Sequence, residues 1–160
     1  MKTRLATIED AETIARIYNQ GIEDRVATFE TQPRTTGDIE AWFSREYVVV
    51  VAEDGEDLLA FAATFPYRTR ECYAGVREFS VYVDRKWRGK GAGRAAMQVL
   101  IEESRKRGVW KLLSRVFPEN TQSLKLLRNL GFREVGVYKR HARLDGEWRD
   151  VVIVEHLIDE

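Results

Sequence analysis

Apolar residues recur at two spacings along this chain, and the switches between them mark out its elements. Leu5 and Ala6 close a short strand, and Thr7 with Asp10 three residues on has nearly the pattern of a capping box. Behind that cap Ile14, Ile17, Tyr18 and Ile22 share one helical face, so Tyr18 is first a core residue. Residues 21–34 are less regular. A short helix is predicted from about residue 38 to 45, capped by Thr36 and burying Ile39, Trp42 and Phe43. Residues 47–52 and 58–65 are β-branched or apolar runs with Glu53-Asp54-Gly55-Glu56-Asp57 between them, which predicts a hairpin. A polar connection, 67–75, then leads to a strand at 78–83.

The second half alternates in the same way. Gly93, Ala96, Met97, Leu100, Ile101 and Ser104 form one face of a helix over 94–107, with Gly108 as its stop. Residues 110–117 read as a strand that Pro118 breaks. Asn120 is placed to cap a helix that buries Leu124, Leu127 and Leu130 and stops at Gly131. Alternating runs at 134–144 and 148–157 flank Asp145-Gly146, a strong hairpin signal. On the first of these strands neighbours point to opposite faces, so Arg140 and His141 would diverge.

At 160 residues with no shift in composition, the expectation is one domain spanning 1–160. Acidic and basic residues balance at 26 each, which argues against a general grip on nucleic acid or on a membrane surface. Met1-Lys2-Thr3-Arg4 opens without an apolar segment, and no apolar run approaches membrane-spanning length, so a cytoplasmic location is expected. Cys72 is the single cysteine; it excludes an intramolecular disulfide and a cysteine metal cluster, and is read as inert packing. No His and Cys pair has metal-ligand spacing, so no metal is expected.

Against this neutral background Arg88-Gly89-Lys90-Gly91-Ala92-Gly93 concentrates charge between a strand and a helix. Glycines let backbone N–H groups approach an anion, and the helix N-terminus adds roughly half a positive charge. A P-loop would need Ser or Thr after its Gly-Lys, where this chain has Gly91. Gly91-Ala92-Gly93-Arg94-Ala95-Ala96 matches the letters of a dinucleotide fingerprint, yet no strand leads directly into it and residues 111–115 offer no acid for a ribose. Arg88, Gly91 and Gly93 satisfy [Q/R]-x-x-G-x-[G/A] in full. With that loop, with Ile17-Tyr18-Asn19, Ala27-Thr28-Phe29-Glu30, Glu78-Phe79-Ser80-Val81-Tyr82-Val83 before it, and with Asn120-x-x-Ser123 and Leu130-Gly131-Phe132 after it, the chain resembles the GCN5-related N-acetyltransferase (GNAT) superfamily, in its phosphinothricin acetyltransferase-like branch.

The resemblance implies an α+β fold, a mixed and mainly antiparallel sheet flanked by helices, and acetyl-coenzyme A as acetyl donor. It implies coenzyme contacts from the main chain of Val81, Tyr82 and Val83, from the loop residues Arg88, Gly89, Lys90, Gly91, Ala92 and Gly93, and from Asn120 and Ser123. It places Phe29, Glu30, Tyr67 and Arg68 at the acceptor, with Arg68 a candidate to hold a carboxylate. A second arginine of the amino-acid-acetylating relatives falls where this chain has Ala74. Glu78 stands where the superfamily carries a glutamate that takes the amine's proton. Leu127 replaces the Tyr or His that often protonates the departing thiolate. The implied activity is acetylation of a primary amine of a small molecule, an amino acid or an analogue such as phosphinothricin, by a homodimer. Alternatives are acetylation of a protein N-terminus or a polyamine, or a non-catalytic acyl-coenzyme A module. His141 as a base, or as a surface or dimer contact, stays open.

Overall fold

The structure, a computed structural model, describes residues 1–158. Its strands are β1 (Lys2–Leu5), β2 (Val49–Asp54), β3 (Asp57–Pro66), β4 (Val76–Val83), β5 (Lys111–Val116), β6 (Arg133–Leu144) and β7 (Glu147–Leu157). The helices are α1 (Ala11–Asp24), α2 (Thr36–Glu40), α3 (Ala92–Lys106) and α4 (Thr121–Asn129). All seven strands join one sheet in the order β1-β2-β3-β4-β5-β7-β6, antiparallel throughout except for the parallel pair β4 and β5. This is the mixed α+β architecture expected from the chain.

Helices cover the middle of the sheet on both faces, which explains why β2 and β3 read as continuous apolar runs rather than alternating ones. Val49, Val51, Phe61 and Ala63 pack under α1 and α2 with Ile14, Ile17, Ile39 and Trp42. Val50, Ala52, Ala60 and Ala62 face the other way, against Ala96, Met97 and Leu100 of α3. Gly21 lets α1 lie directly on β4, because a Cβ there would stand 2.4 Å from the Tyr82 ring.

Several boundaries move from their sequence positions for local reasons. The cap of α2 is Thr35, not Thr36: its side chain accepts from the Asp38 N–H and its own N–H donates to Asp38, closing a box that Thr36 cannot close at that spacing. A 3-10 turn, Ala41–Ser44, completes that helix. The strand over 78–83 starts earlier, at Val76, and α3 starts at Ala92 rather than Arg94. Cys72 is exposed in a 3-10 turn, so it does not pack as expected. The β6–β7 hairpin turns at Asp145 and Gly146, with φ of 51° and 81°. Its register breaks between Tyr138 and Ala142, where Arg140 has φ 48°, so simple face alternation does not carry through Arg140 and His141. Asn120 caps α4 as expected, its Oδ1 accepting from the Ser123 N–H at 3.3 Å.

Glu155 of β7 ties the sheet's far side together, 2.6 Å from Lys111 of β5 and 2.6 Å from Arg133 of β6. Lys111 above all, and then Arg133, hold its carboxyl below the usual range against the opposing effect of burial. A folded-state value below the unfolded one stabilises the fold above the unfolded value, near pH 4.3. That contribution is lost as pH falls through the folded value. The Glu155→Gln chain is therefore expected to unfold at lower urea than wild type at pH 7, with the gap closing in titrations taken below about pH 4.3.

Candidate active site

The site begins where the parallel ladder stops. β4 and β5 pair at Val76 with Lys111, Arg77 with Leu112 and Glu78 with Leu113, and no further. β4 continues to Val83, held only by β3 on its other side. Ser114 Oγ donates to the Phe79 carbonyl at 3.1 Å and is the last bridge across the opening. Beyond it the edge of β4 that faces β5 has no ladder partner, and unpaired backbone of this kind needs a ligand or water.

A groove of about 550 Å³ fills the opening, lined by Val81, Tyr82 and Val83 on one wall and Asn120, Ser123 and Leu126 on the other. Its end is the start of α3. Gly89 and Gly91 have φ of 77° and 87°, and no atom lies within 4 Å of a Cβ built on either. Ala95 N–H bonds the Gly91 carbonyl, so the N–H groups ahead of it are the unpaired donors of a helix start, beside Arg88. Arg88 Nη2 lies 2.7 Å from Asp24 Oδ2, and Arg85 Nη2 lies 2.8 Å from Asp24 Oδ1. Burial opposes ionisation of Asp24, but Arg88 and Arg85 prevail and hold it below the usual range. A diphosphate on a pantetheine arm fits this arrangement: donors and a cation at one end, open strand backbone along the other. Of the expected coenzyme contacts, Lys90 alone does not line the groove. Asp24, at the end of α1, does line it, and sequence reading missed it because nothing near it in the chain is unusual.

Ala27, Val81, Tyr82, Asn120 and Ser123 line both this groove and a second cavity of about 270 Å³, which makes the two continuous. Glu78 and Arg115 stand in its wall, Arg115 Nη1 2.7 Å from Glu78 Oε1. The approach is off the N–H direction, so Glu78 Oε1 is buried without a directed hydrogen bond. Phe29 lies edge-on to Phe117 at 4.8 Å and closes one side. Leu127 closes another with 2 % of its surface exposed and brings no proton donor. Tyr18 is core and wall at once; burial pushes both its hydroxyl and that of Tyr82 far up, so both stay protonated.

Glu30 accepts from the Tyr18 hydroxyl and pairs with Arg34, which pins the loop after α1 rather than lining the cavity. Tyr67 and Arg68 also lie outside the lining, the Arg68 guanidinium 4.3 Å over the Tyr67 ring. His141 is exposed beside Tyr138, ring centres 4.9 Å apart, away from both cavities. Arg115 was missed because its alternating place on β5 looks like an ordinary solvated strand position. Among the described residues no group of three or more His, Cys, Asp or Glu is placed to hold a metal.

The sequence profile of the acetyltransferase (GNAT) family matches residues 14–132, which span this open strand and its glycine-rich cradle. The chain belongs to the GNAT family. As a GNAT acetyltransferase it uses acetyl-coenzyme A as acetyl donor. It is 30% identical over 161 residues to the L-methionine sulfoximine/L-methionine sulfone acetyltransferase of Pseudomonas paraeruginosa, covering 98% of this chain and 94% of that one. The crystal structure of a GNAT phosphinothricin acetyltransferase from Sinorhizobium meliloti in complex with acetyl-coenzyme A superposes with a TM-score of 0.90 at 27% identity, over 98% of this chain and 87% of that one. A ribosomal-protein-alanine N-acetyltransferase from Brucella melitensis superposes with a TM-score of 0.93 at 30% identity, over 98% and 99% of the two chains.

Proposed function

We propose that this GNAT chain acetylates the primary amine of an amino acid or amino-acid analogue such as phosphinothricin or methionine sulfoximine, with Glu78 taking the amine's proton. The observation that carries the reading is the position of Glu78, in the wall of the small cavity at the point where the β4–β5 ladder ends and the groove opens. Acetyl-coenzyme A supplies an activated thioester. Glu78 first takes one proton from the bound ammonium; the neutral nitrogen then bonds the acyl carbon, the C–S bond breaks, and the nitrogen's second proton leaves to water. Of the β4 N–H groups along the groove, those of Val81 and Val83 face away from β3 and stabilise charge on the acyl oxygen, while that of Tyr82 is spent on the β3 ladder. Since Leu127 offers no proton, water returns one to sulfur. A small amino-acid acceptor is further supported by the names of the relatives and by a cavity of about 270 Å³ closed by Phe29 and Phe117.

A polyamine fits less well: among the described residues lining the cavity Glu78 is the only acid, so a second ammonium would meet no partner. Acetylation of a protein N-terminus is the second reading, favoured by the similarity to the Brucella melitensis structure. The whole chain acts as one domain, in a cytoplasmic setting consistent with its lone exposed thiol. It pairs as a homodimer, for which Val135, Val137, Tyr138 and Trp148, each about half exposed on the β6–β7 hairpin, supply apolar surface. No helix among the described residues is long and apolar enough to cross a membrane. Release of coenzyme A thiol in the presence of phosphinothricin, methionine sulfoximine, free amino acids, polyamines and N-terminal peptides tests the reading. Acceleration by amino acids alone supports it. Acceleration by peptides alone selects the second reading, and coenzyme binding without turnover of any amine points to an acyl-coenzyme A module.

A further inference from the structure

Resting on the acceptor class proposed above, we infer that Arg115 selects acceptors bearing an acid group beside the reacting amine, and that it does so by exchanging its contact with Glu78 for the acceptor's carboxylate. Among the described residues that line the acceptor cavity, Glu78 and Arg115 alone are charged. Their side chains are 26% and 39% exposed, so an entering molecule reaches both. Their contact is close, at 2.7 Å, yet it lies off the N–H direction and leaves Glu78 Oε1 without a directed hydrogen bond. It is an ion pair without the second, parallel bond that makes arginine–carboxylate pairs strong.

Neighbouring arginines are already engaged. Arg88 and Arg85 hold Asp24, Arg34 holds Glu30, Arg77 donates to the Ala74 carbonyl, and Arg68 donates to the Tyr67 carbonyl and covers that ring. Arg115 makes no hydrogen bond to another protein group among the described residues, so its fork of donors is unspent and stands in the cavity wall.

An α-amino acid at neutral pH is a zwitterion. Its carboxylate takes the Arg115 fork in two parallel bonds, and its ammonium replaces the guanidinium as counter-ion of Glu78. Each of the four charges then has an opposite partner, and the carboxylate that must receive the proton faces the group that gives it. An amide, a peptide N-terminus or a simple amine brings only the cation. It must either compete with Arg115 for Glu78 or leave Arg115 without an anion, which the site pays for in affinity. On this account Arg115 is a specificity and positioning residue, one that separates amino acids from their amides.

Steady-state kinetics of wild type, Arg115→Gln and Arg115→Lys with L-methionine sulfone and with its α-carboxamide test the assignment. Binding of acetyl-coenzyme A to each variant serves as the check of folding. Arg115→Gln is expected to raise KM for the acid roughly 10- to 100-fold with a much smaller change in kcat, the value of charge-assisted bonds. Its kcat/KM for the carboxamide should rise, because the cation's competitor for Glu78 is gone, and Arg115→Lys should recover part of the acid's affinity, as a point charge without the fork does. Equal losses for acid and amide, or none for the acid, would overturn the role of Arg115 while leaving amino-acid acetylation in place. A wild type that acetylates peptides or other amines but no amino acid would overturn the proposed acceptor class, and this inference with it.

Discussion

Replacing Glu78 by glutamine is expected to lower kcat by roughly 10²- to 10⁴-fold at neutral pH while leaving acetyl-coenzyme A binding unchanged. The size follows from the proton. At pH 7 neutralising a lysine-like amine costs about 4.6 kcal/mol, against about 1 to 1.4 kcal/mol for a peptide α-amine, and an acceptor cannot attack until that proton is gone. Glutamine keeps the shape of Glu78 and its place at the end of the β4–β5 ladder but takes no proton. The deficit should shrink as pH is raised toward the amine's own ionisation, because solvent then removes the proton unaided. Wild-type turnover by this variant at neutral pH, with the coenzyme still bound, would exclude Glu78 as the base. Rates over a pH series with a single acceptor are the measurement required.

A Gly91→Val chain is expected to bind acetyl-coenzyme A roughly 10- to 100-fold more weakly. Gly91 is the residue before α3 and has φ 87°. A β-branched residue is a strong outlier at such an angle, and an L-residue held in the left-handed region costs about 1–2 kcal/mol. The surroundings are open, with no atom within 4 Å of a new Cβ, so the core has no reason to fail. Instead the loop relaxes to negative φ, and the N–H groups at the head of α3 turn away from the anion they would bind. Calorimetric titration with acetyl-coenzyme A measures the loss, and thermal unfolding of the free variant separates it from a folding defect. Unchanged affinity would mean that the cradle at residues 88–93 is not the anion site.

The parts of the site that could be read from the chain are those written locally. Gly91 is there for its positive φ and Gly93 for its close approach to Val83, and glycine supplies both. Asn120 declared itself as a cap because its acceptor serves an N–H three residues on. Asp145-Gly146 was visible for the same reason. Arg115 was not, since its partner lies 37 residues earlier on a parallel strand and only the end of the ladder brings them together. Glu30 is assigned to the acceptor by the family resemblance, whereas Tyr18 and Arg34 hold it off the cavity lining. The choice of Thr35 over Thr36 was legible: Asp38 lies three residues from the first and two from the second. The irregularity between Tyr138 and Ala142 had no local signal, because a bulge is set by what two strands must match across the sheet.

The gap between β4 and β5 is a place where the sheet forgoes ladder bonds at its own centre. A guest that fills it completes the sheet from outside the chain, and whatever binds only the folded state raises its stability with its own concentration. The fold is thus weighted by the supply of acyl donor around it, and a substitution the chain tolerates when donor is plentiful unfolds it when donor runs short.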